Sequence, residues 1–381
     1  MKILFLENQV YNSDITVGSH HYARLFSNDG HDVFWVSLPW HVPQFLKNPK
    51  IDRVRQWRFG KPRISKEGII SISPFVLLPY RDNVFLRSKW YLRRYVNFQF
   101  GVLRILKVSG FKKVDLVWVT DPRHFSLLKY INYQKCAYRC VDNLEHFKDV
   151  PGSLLGIENE LVKRVDALFY TSPLLGRKFG YLTSKSVYLP NGAEYSRFSN
   201  FSNKSNLRHL FKTNKFNIIY MGAVAEWFDF DLIETLSTEI NLNIIIVGPL
   251  RVSPPARLSQ RTNVTFTGGI PYDLMPELVK RADLGIIPFI RNTMTDYVSP
   301  IKLFEYCSGG LNVVTSFLKT LESHPGPYYV AKTQEQFVQH VHNLRKDENS
   351  RFSKEELLQF GKENSWSRRY IKVLDYLQLN G

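Results

Sequence analysis

Residues Pro288–Gly310 read PFIRNTMTDYVSPIKLFEYCSGG. The apolar run Leu284–Pro288 enters this stretch as a buried strand, and a variable polar loop follows. Ser299-Pro300 then signals a helix, because serine caps helix starts and proline suits the first turn. Asn312–Thr315, just beyond, is another short apolar strand. Strand, loop, helix and strand in that order form the repeating unit of a parallel sheet. The unit recurs upstream. Asn217–Met221 is a strand with a turn at Gly222 and a helix over Asp231–Ile240. Asn243–Val247 ends at Gly248-Pro249, Val264–Thr267 ends at Gly268-Gly269, and Tyr272–Lys280 is helical.

A polar segment, Ser199–Lys215, separates this series from an earlier one. Lys2–Leu6 is a strand, Asn8–His20 a polar loop, His21–Asn28 a helix and His31–Leu38 the next strand. Val114–Val119, Cys136–Val141, Ala167–Tyr170 and Val187–Leu189 continue the series, and an amphipathic helix is predicted over Arg87–Lys107. The expected fold class is therefore α/β, with two doubly wound domains at 1–195 and 216–365. The segment 366–381, containing the amphipathic Trp366–Leu379, is expected to cross back to the first domain. Parallel sheets bind ligands outside the carboxyl ends of their strands, so the expected site is a cleft between the two domains.

The chain has 381 residues, 44% apolar and 22% charged, which is too apolar for disorder. No run approaches the length of a transmembrane span, and Met1–Val10 lacks a cleavage signature. The cysteines Cys136, Cys140 and Cys307 are too few and scattered for a disulfide framework or a zinc site, which suits a reducing cytoplasm. There is no phosphate loop of the Walker type and no dinucleotide glycine fingerprint after the first strand. Net charge is +17, and Lys47–Lys113 holds 17 basic against 3 acidic side chains, interleaved with aromatic residues such as Trp57, Phe85 and Trp90. That combination fits an anionic surface. A membrane at the inner face of the cell is the expected partner, with Lys89, Arg93 and Arg94 as its contacts. A nucleic-acid-binding protein is the alternative from another class, but RNA-binding aromatic signatures and helix-turn-helix spacing are lacking.

The start of the helix near residue 300 offers N–H groups and a positive dipole end to an anion. Lys302 adds a full charge in that turn, and Glu305 follows one turn deeper on the same face. An anion clamp beside a carboxylate suits a diphosphate and its ribose hydroxyls. Gly222 lets backbone approach a ligand closely. Asp229-Phe230-Asp231 has the spacing of a metal–diphosphate holder, yet aspartate at a helix start also serves as a cap. Asp142 directly follows a strand and is the expected general base, with Glu145 and His146 in reserve.

The segments SPIKLFEYCSGGLNVVTS, YMGAVAEWFDFDLI, NIIIVGP, NVTFTGGIPYDLMPELVKRADLGIIPF and YLPNGAEYSRF cover most of 187–315. Together they resemble the donor-binding domain of nucleotide-sugar glycosyltransferases of the GT-B fold, which pairs two Rossmann-like domains. YRCVDNLEHF at Tyr138–Phe147 resembles the acceptor-domain loop of the membrane-associated glucuronosyltransferase of xanthan assembly and of teichuronic-acid enzymes. The resemblance implies a nucleotide-diphosphate sugar donor, of UDP type, and a polysaccharide or polyprenyl-linked saccharide acceptor. It assigns Lys302 to the donor phosphates, Glu305 to the ribose, Gly268, Gly269 and Ile270 to the base, and Gly222 with Ala223 to the phosphates or sugar. Tyr297, Ser299, Pro300 and Ile301 complete the expected donor set; Gly18, Ser19, His20 and Glu145 form the expected acceptor set. Many retaining relatives carry Glu eight positions before the second Glu, where this chain has Tyr297. That departure favours inversion, and Lys302 with the helix dipole is expected to stabilise the leaving diphosphate without a metal or other cofactor; a retaining enzyme of the same fold and a non-catalytic sugar-nucleotide binder are the alternatives.

Overall fold

The computed structural model describes residues 1–13, 16–41, 62–78, 80, 85–147, 150–200, 207–347 and 351–379. The part of the basic stretch at 47–61, including Trp57 and Phe59, lies outside them. The chain divides into two units, Met1–Leu189 with Val373–Gly381, and Pro190–Lys372. The division falls at Leu189–Pro190, ahead of the segment expected as the linker. The short helix Tyr195–Ser199 already belongs to the second unit.

Among the described residues the first unit holds ten strands: β1 (Lys2–Glu7), β2 (Asp32–Ser37), β3 (Arg63–Ile64), β4 (Ile70–Ile72), β5 (Phe75–Val76), β6 (Gln99–Phe100), β7 (Lys113–Val119), β8 (Asn132–Cys140), β9 (Ala167–Tyr170) and β10 (Ser186–Tyr188). Eight of them form one sheet in the order β10-β9-β8-β7-β1-β2-β4-β3, and only β3 runs antiparallel to its neighbour. The chain starts at β1 and winds outward in both directions, so the topological switch lies between β1 and β7. Ligands of such sheets bind at that point.

The second unit holds β11 (Phe216–Met221), β12 (Leu242–Val247), β13 (Val264–Gly268), β14 (Leu284–Ile287), β15 (Val313–Ser316) and β16 (Tyr329–Ala331). Their order is β13-β12-β11-β14-β15-β16, all parallel, with the switch between β11 and β14. Ile218, Ile219, Ile244, Ile245 and Ile246 are fully buried, as expected where both faces of a sheet are covered and no alternation survives.

One reading of local structure is corrected. The helix predicted over Arg87–Lys107 is broken into Lys89–Leu92, a 3-10 turn Tyr95–Phe98, β6 and a helix Val102–Val108. Gly101, at φ +75°, takes a left-handed conformation that an α-helix cannot include, and the chain reverses there. The C-terminal helix Trp366–Leu377 starts in the second unit, and its residues from Val373 onward belong to the first. There Tyr376 donates to the Ser184 carbonyl at 3.1 Å and meets the Phe169 ring edge-on.

One close approach sets the site in the second unit. Gly248 has φ +146°, and a Cβ there would lie 2.0 Å from the Gly222 carbonyl oxygen. Gly248→Ala is therefore expected to cost about 3 kcal/mol or more, read as a lowered urea midpoint. Gly268, at φ +71° with nothing within 4 Å of the place a Cβ would take, is the control. Its alanine variant should cost only about 1–2 kcal/mol.

Candidate functional site

In the second unit the helix Ile301–Ser308 is tied to β11 by its own Tyr306. The Tyr306 hydroxyl accepts from the Met221 amide at 2.8 Å and donates to the Ile219 carbonyl at 3.3 Å. The ring lies flat against Gly285 of β14, where any Cβ would come within 2.7 Å of it. This docking brings the first turn of the helix over the carboxyl end of β11. Lys302 sits there, its Cε and Nζ 3.1 and 3.2 Å from the place a Gly222 side chain would occupy. Its ammonium lies 5.0 Å from the centre of the Tyr220 ring and 4.6 Å from that of Phe289. It makes no hydrogen bond or ion pair with a described residue. Desolvation pulls its pKa down to about 8.

Glu305 is buried one turn further on and accepts a 2.7 Å hydrogen bond from the Tyr272 hydroxyl. Burial raises its pKa to about 7, partly offset by Tyr272 and by the charge of Lys302. Glu194, held by Arg197, adds negative potential nearby.

Ser299 does not cap this helix. Pro300 occupies the capping position and makes no side-chain cap bond. The Ser299 hydroxyl instead accepts from the Asn191 amide at 3.2 Å, and its carbonyl from the Asn191 side chain at 2.7 Å. A competing partner from a distant loop has taken the oxygen that local spacing assigned to the cap. The Ala223 carbonyl is likewise engaged, by Tyr220 Oη at 2.8 Å and Trp227 Nε1 at 3.3 Å. Gly268, Gly269 and Ile270 lie at the carboxyl end of β13, and the Gly268 carbonyl accepts from the Gly248 amide at 2.8 Å. Tyr297 is half-buried in the turn Thr295–Tyr297. Asp229 caps its helix by accepting from the Leu232 amide at 2.9 Å, and Asp231 pairs with Arg257.

In the first unit a cavity of about 420 Å³ opens at the switch point. Asn8 follows β1, Thr120 and Asp121 follow β7, and Val141 and Asp142 follow β8; all five line it. Asp142 is open to the cavity yet crowded by protein atoms, and this burial raises its carboxyl pKa despite Arg139 nearby. Its carboxylate has no hydrogen bond or ion pair with a described residue. Arg123, which also lines the cavity, is held by Asp121 at 2.8 Å. A second cavity of about 340 Å³, lined by Trp40, His41 and Tyr95, shares Asn8, Tyr80 and Arg123 with the first.

The loop that carries Asp142 is clamped. Lys178 Nζ donates to Asn143 Oδ1 at 3.1 Å and to the fully buried Glu158 at 3.0 Å, and lies 3.4 Å from Glu145. Glu145 is thus exposed and paired rather than aimed at the cavity. Gly18, Ser19 and His20 are buried in the first helix, Gly18–Asn28, and line neither cavity. His20 stacks on Tyr11, its Nδ1 accepts from the Val17 amide, and its Nε2 faces the Tyr11 carbonyl at 3.0 Å. Burial lowers its pKa to about 4. The expectation that His20 faces an acceptor is corrected: it is a neutral packing residue. Ser19 hydrogen-bonds the buried Glu7, whose pKa burial pushes up to about 8. Sequence reasoning missed Tyr272, Tyr306, Asn191 and Lys178, since each acts through a partner far along the chain.

No protein-family model matches the chain. Among curated proteins it is 23% identical over 229 residues to the Bacillus subtilis protein TuaH, whose name assigns it to teichuronic acid biosynthesis as a glycosyltransferase. The match covers 56% of this chain and spans 58% of that relative's length. Among solved structures, Anabaena Alr3699/HepE in complex with UDP and glucose superposes with a TM-score of 0.68 at 13% identity, covering 99% of each chain. Sucrose-phosphate synthase from Thermosynechococcus elongatus gives 0.70 at 13% identity, covering 100% of this chain and 99% of the other. With its two parallel-sheet units and these neighbours, the chain has the GT-B fold, and in sequence it resembles a glycosyltransferase.

Proposed function

We propose that the chain is a glycosyltransferase that moves a sugar from a UDP-sugar to a saccharide acceptor. Unit two would hold the donor and unit one the acceptor. Lys302 carries this reading. A desolvated ammonium lying on two aromatic faces, with no ion pair to a described carboxylate, is a costly arrangement unless an anion completes it. The helix start and the Gly222 backbone, against which the Lys302 ammonium lies, suit a diphosphate as that anion. Glu305, one turn deeper, suits the ribose hydroxyls. The resemblance to TuaH and the UDP and glucose in the HepE complex support a sugar nucleotide as donor.

In this reading Asp142 takes the proton of the acceptor hydroxyl. The freed oxygen attacks the anomeric carbon from the face opposite the diphosphate. The bond from that carbon to the diphosphate oxygen breaks as the new glycosidic bond forms, so configuration inverts. Lys302 and the helix dipole, not a metal ion, balance the charge left on the diphosphate. Tyr297, standing eight positions before Glu305, supports this single displacement over a retaining route. We take the acceptor to be a polysaccharide or lipid-linked precursor, met at an anionic membrane; among the described residues no helix is long and apolar enough to cross one.

The test is UDP binding against pH. The unliganded Lys302 loses its proton near pH 8, and only the charged form attracts the diphosphate. Affinity is expected to fall as pH rises through about 8. Calorimetry in two buffers of different ionisation enthalpy should show proton uptake on binding at that pH. Absence of UDP binding at every pH from 6 to 9 would sink the donor assignment.

A further inference from the structure

We infer that the face of the first unit formed by Phe85, Trp90 and Arg94 docks onto anionic lipid headgroups, and that this face backs the Asp142 cavity, setting it within reach of a lipid-anchored acceptor. The inference deepens the proposed membrane partnership and rests on that reading. Five large apolar side chains are exposed within 24 residues: Leu77 at 60%, Leu78 at 49%, Phe85 at 58%, Trp90 at 50% and Phe100 at 55%. Single exposed apolar groups are ordinary; a contiguous set is not. Phe85, Trp90 and Arg94 are joined. The Phe85 and Trp90 rings lie 6.0 Å apart, and the Arg94 guanidinium lies 4.5 Å from the Trp90 ring centre. The Tyr91 hydroxyl donates to the Leu78 carbonyl, and Phe100 packs on Phe75 across the β5–β6 pair.

The inner side of the same segment is dry. Tyr91, Leu92 and Tyr95 are buried. Leu92 packs with Leu154 and Ile157, and Leu144, Val150 and Tyr80 close that cluster. Leu144, Val150, Leu154 and Tyr80 also line the cavity of Asp142. The docking face and the cavity wall are therefore opposite sides of one layer of side chains. Glu160 fastens the layer from the helix Gly152–Arg164, with Lys89 at 2.6 Å and Arg93 at 2.7 Å. Two of the three cations expected from the sequence to face the membrane are thus tied to a carboxylate. The apolar groups and Arg94 carry the contact instead.

Charge selects the occupant. The excess of 17 basic over 3 acidic side chains in Lys47–Lys113 attracts anions. Leu77 and Leu78 select lipid over nucleic acid, because aliphatic side chains enter an acyl boundary but do not stack on bases. The Arg94 guanidinium beside the exposed Phe85 and Trp90 rings matches an interfacial anchor.

The experiment is co-sedimentation of the full chain with phosphatidylcholine vesicles, with and without phosphatidylglycerol. UDP-induced thermal stabilisation is read on the same samples. Binding is expected to require phosphatidylglycerol and to drop at least about tenfold in a Phe85→Ser/Trp90→Ser double variant. Arg94→Ala should lower it about fivefold, the worth of one cation near the surface. Both sites of the double variant are exposed, so its UDP response should match the parent. Equal sedimentation of parent and double variant, or no binding by the parent, would overturn the inference; retained UDP stabilisation would leave the donor reading standing. Displacement from vesicles by single-stranded oligonucleotide would assign the face to nucleic acid. A dimer of the parent that the double variant dissolves would assign it to a second copy of this chain.

Discussion

Lys302→Met is expected to abolish UDP-induced stabilisation and to lower sugar transfer by about 10²–10³-fold, the usual cost of removing one preorganised charge from a transition state. Methionine keeps the length of the stem and its contact with the Tyr220 and Phe289 rings, so a packing defect is avoided. The variant without ligand should be more stable than the parent, and the sign follows from the pKa. Folding lowers the Lys302 pKa from 10.5 to about 8. The folded state therefore holds the proton less tightly, and below pH 8 the parent bears the whole penalty of a desolvated ammonium. That penalty shrinks as pH rises through 8 and is gone above the unfolded value. The gain from methionine should be largest below pH 8, on the order of 1–3 kcal/mol, and fall below about 1 kcal/mol by pH 10. Denaturant melts at pH 7 and pH 10, with and without UDP, measure both effects. A variant that still responds to UDP as the parent does would remove Lys302 from the donor site.

Asp142→Asn is expected to lower transfer by about 10²–10⁴-fold while leaving UDP-induced stabilisation intact. The two substitutions thus separate donor binding from proton removal. In the parent the rate should fall as pH drops through the Asp142 pKa, since only the carboxylate accepts the hydroxyl proton. Burial raises that pKa, so the acid limb should lie above the ordinary carboxylate range. The asparagine variant should lose this limb. Glu145→Gln is the comparison: its carboxylate is engaged by Lys178, and its rate should stay within a few-fold of the parent. The reverse pattern, a dead Glu145 variant and an active Asp142 variant, would move the base to Glu145.

The corrections share a physical origin. Spacing alone assigns Ser299 to a helix cap, and Asn191 outcompetes the cap from 108 positions away. His20 sits in a polar loop by local pattern, but Tyr11 and Trp35 close over it. Lys89 and Arg93 look like unpaired surface charge until Glu160 folds beside them. In each case the deciding partner lies on another element, where local spacing carries no trace of it.

The sequence by itself determined the alternation of strand and helix, the two series of strands, the turn at Gly222 and the presence of Lys302 and Glu305 one turn apart. These follow from hydrophobic period, turn chemistry and helical pitch, which act over a few residues. Only the tertiary structure decided that Lys302 lies on aromatic faces with no ion pair to a described residue, that Asp142 opens into a cavity, and that His20 does not. Desolvation and pairing depend on which distant segments pack together, and they alone turn a charged residue into a site.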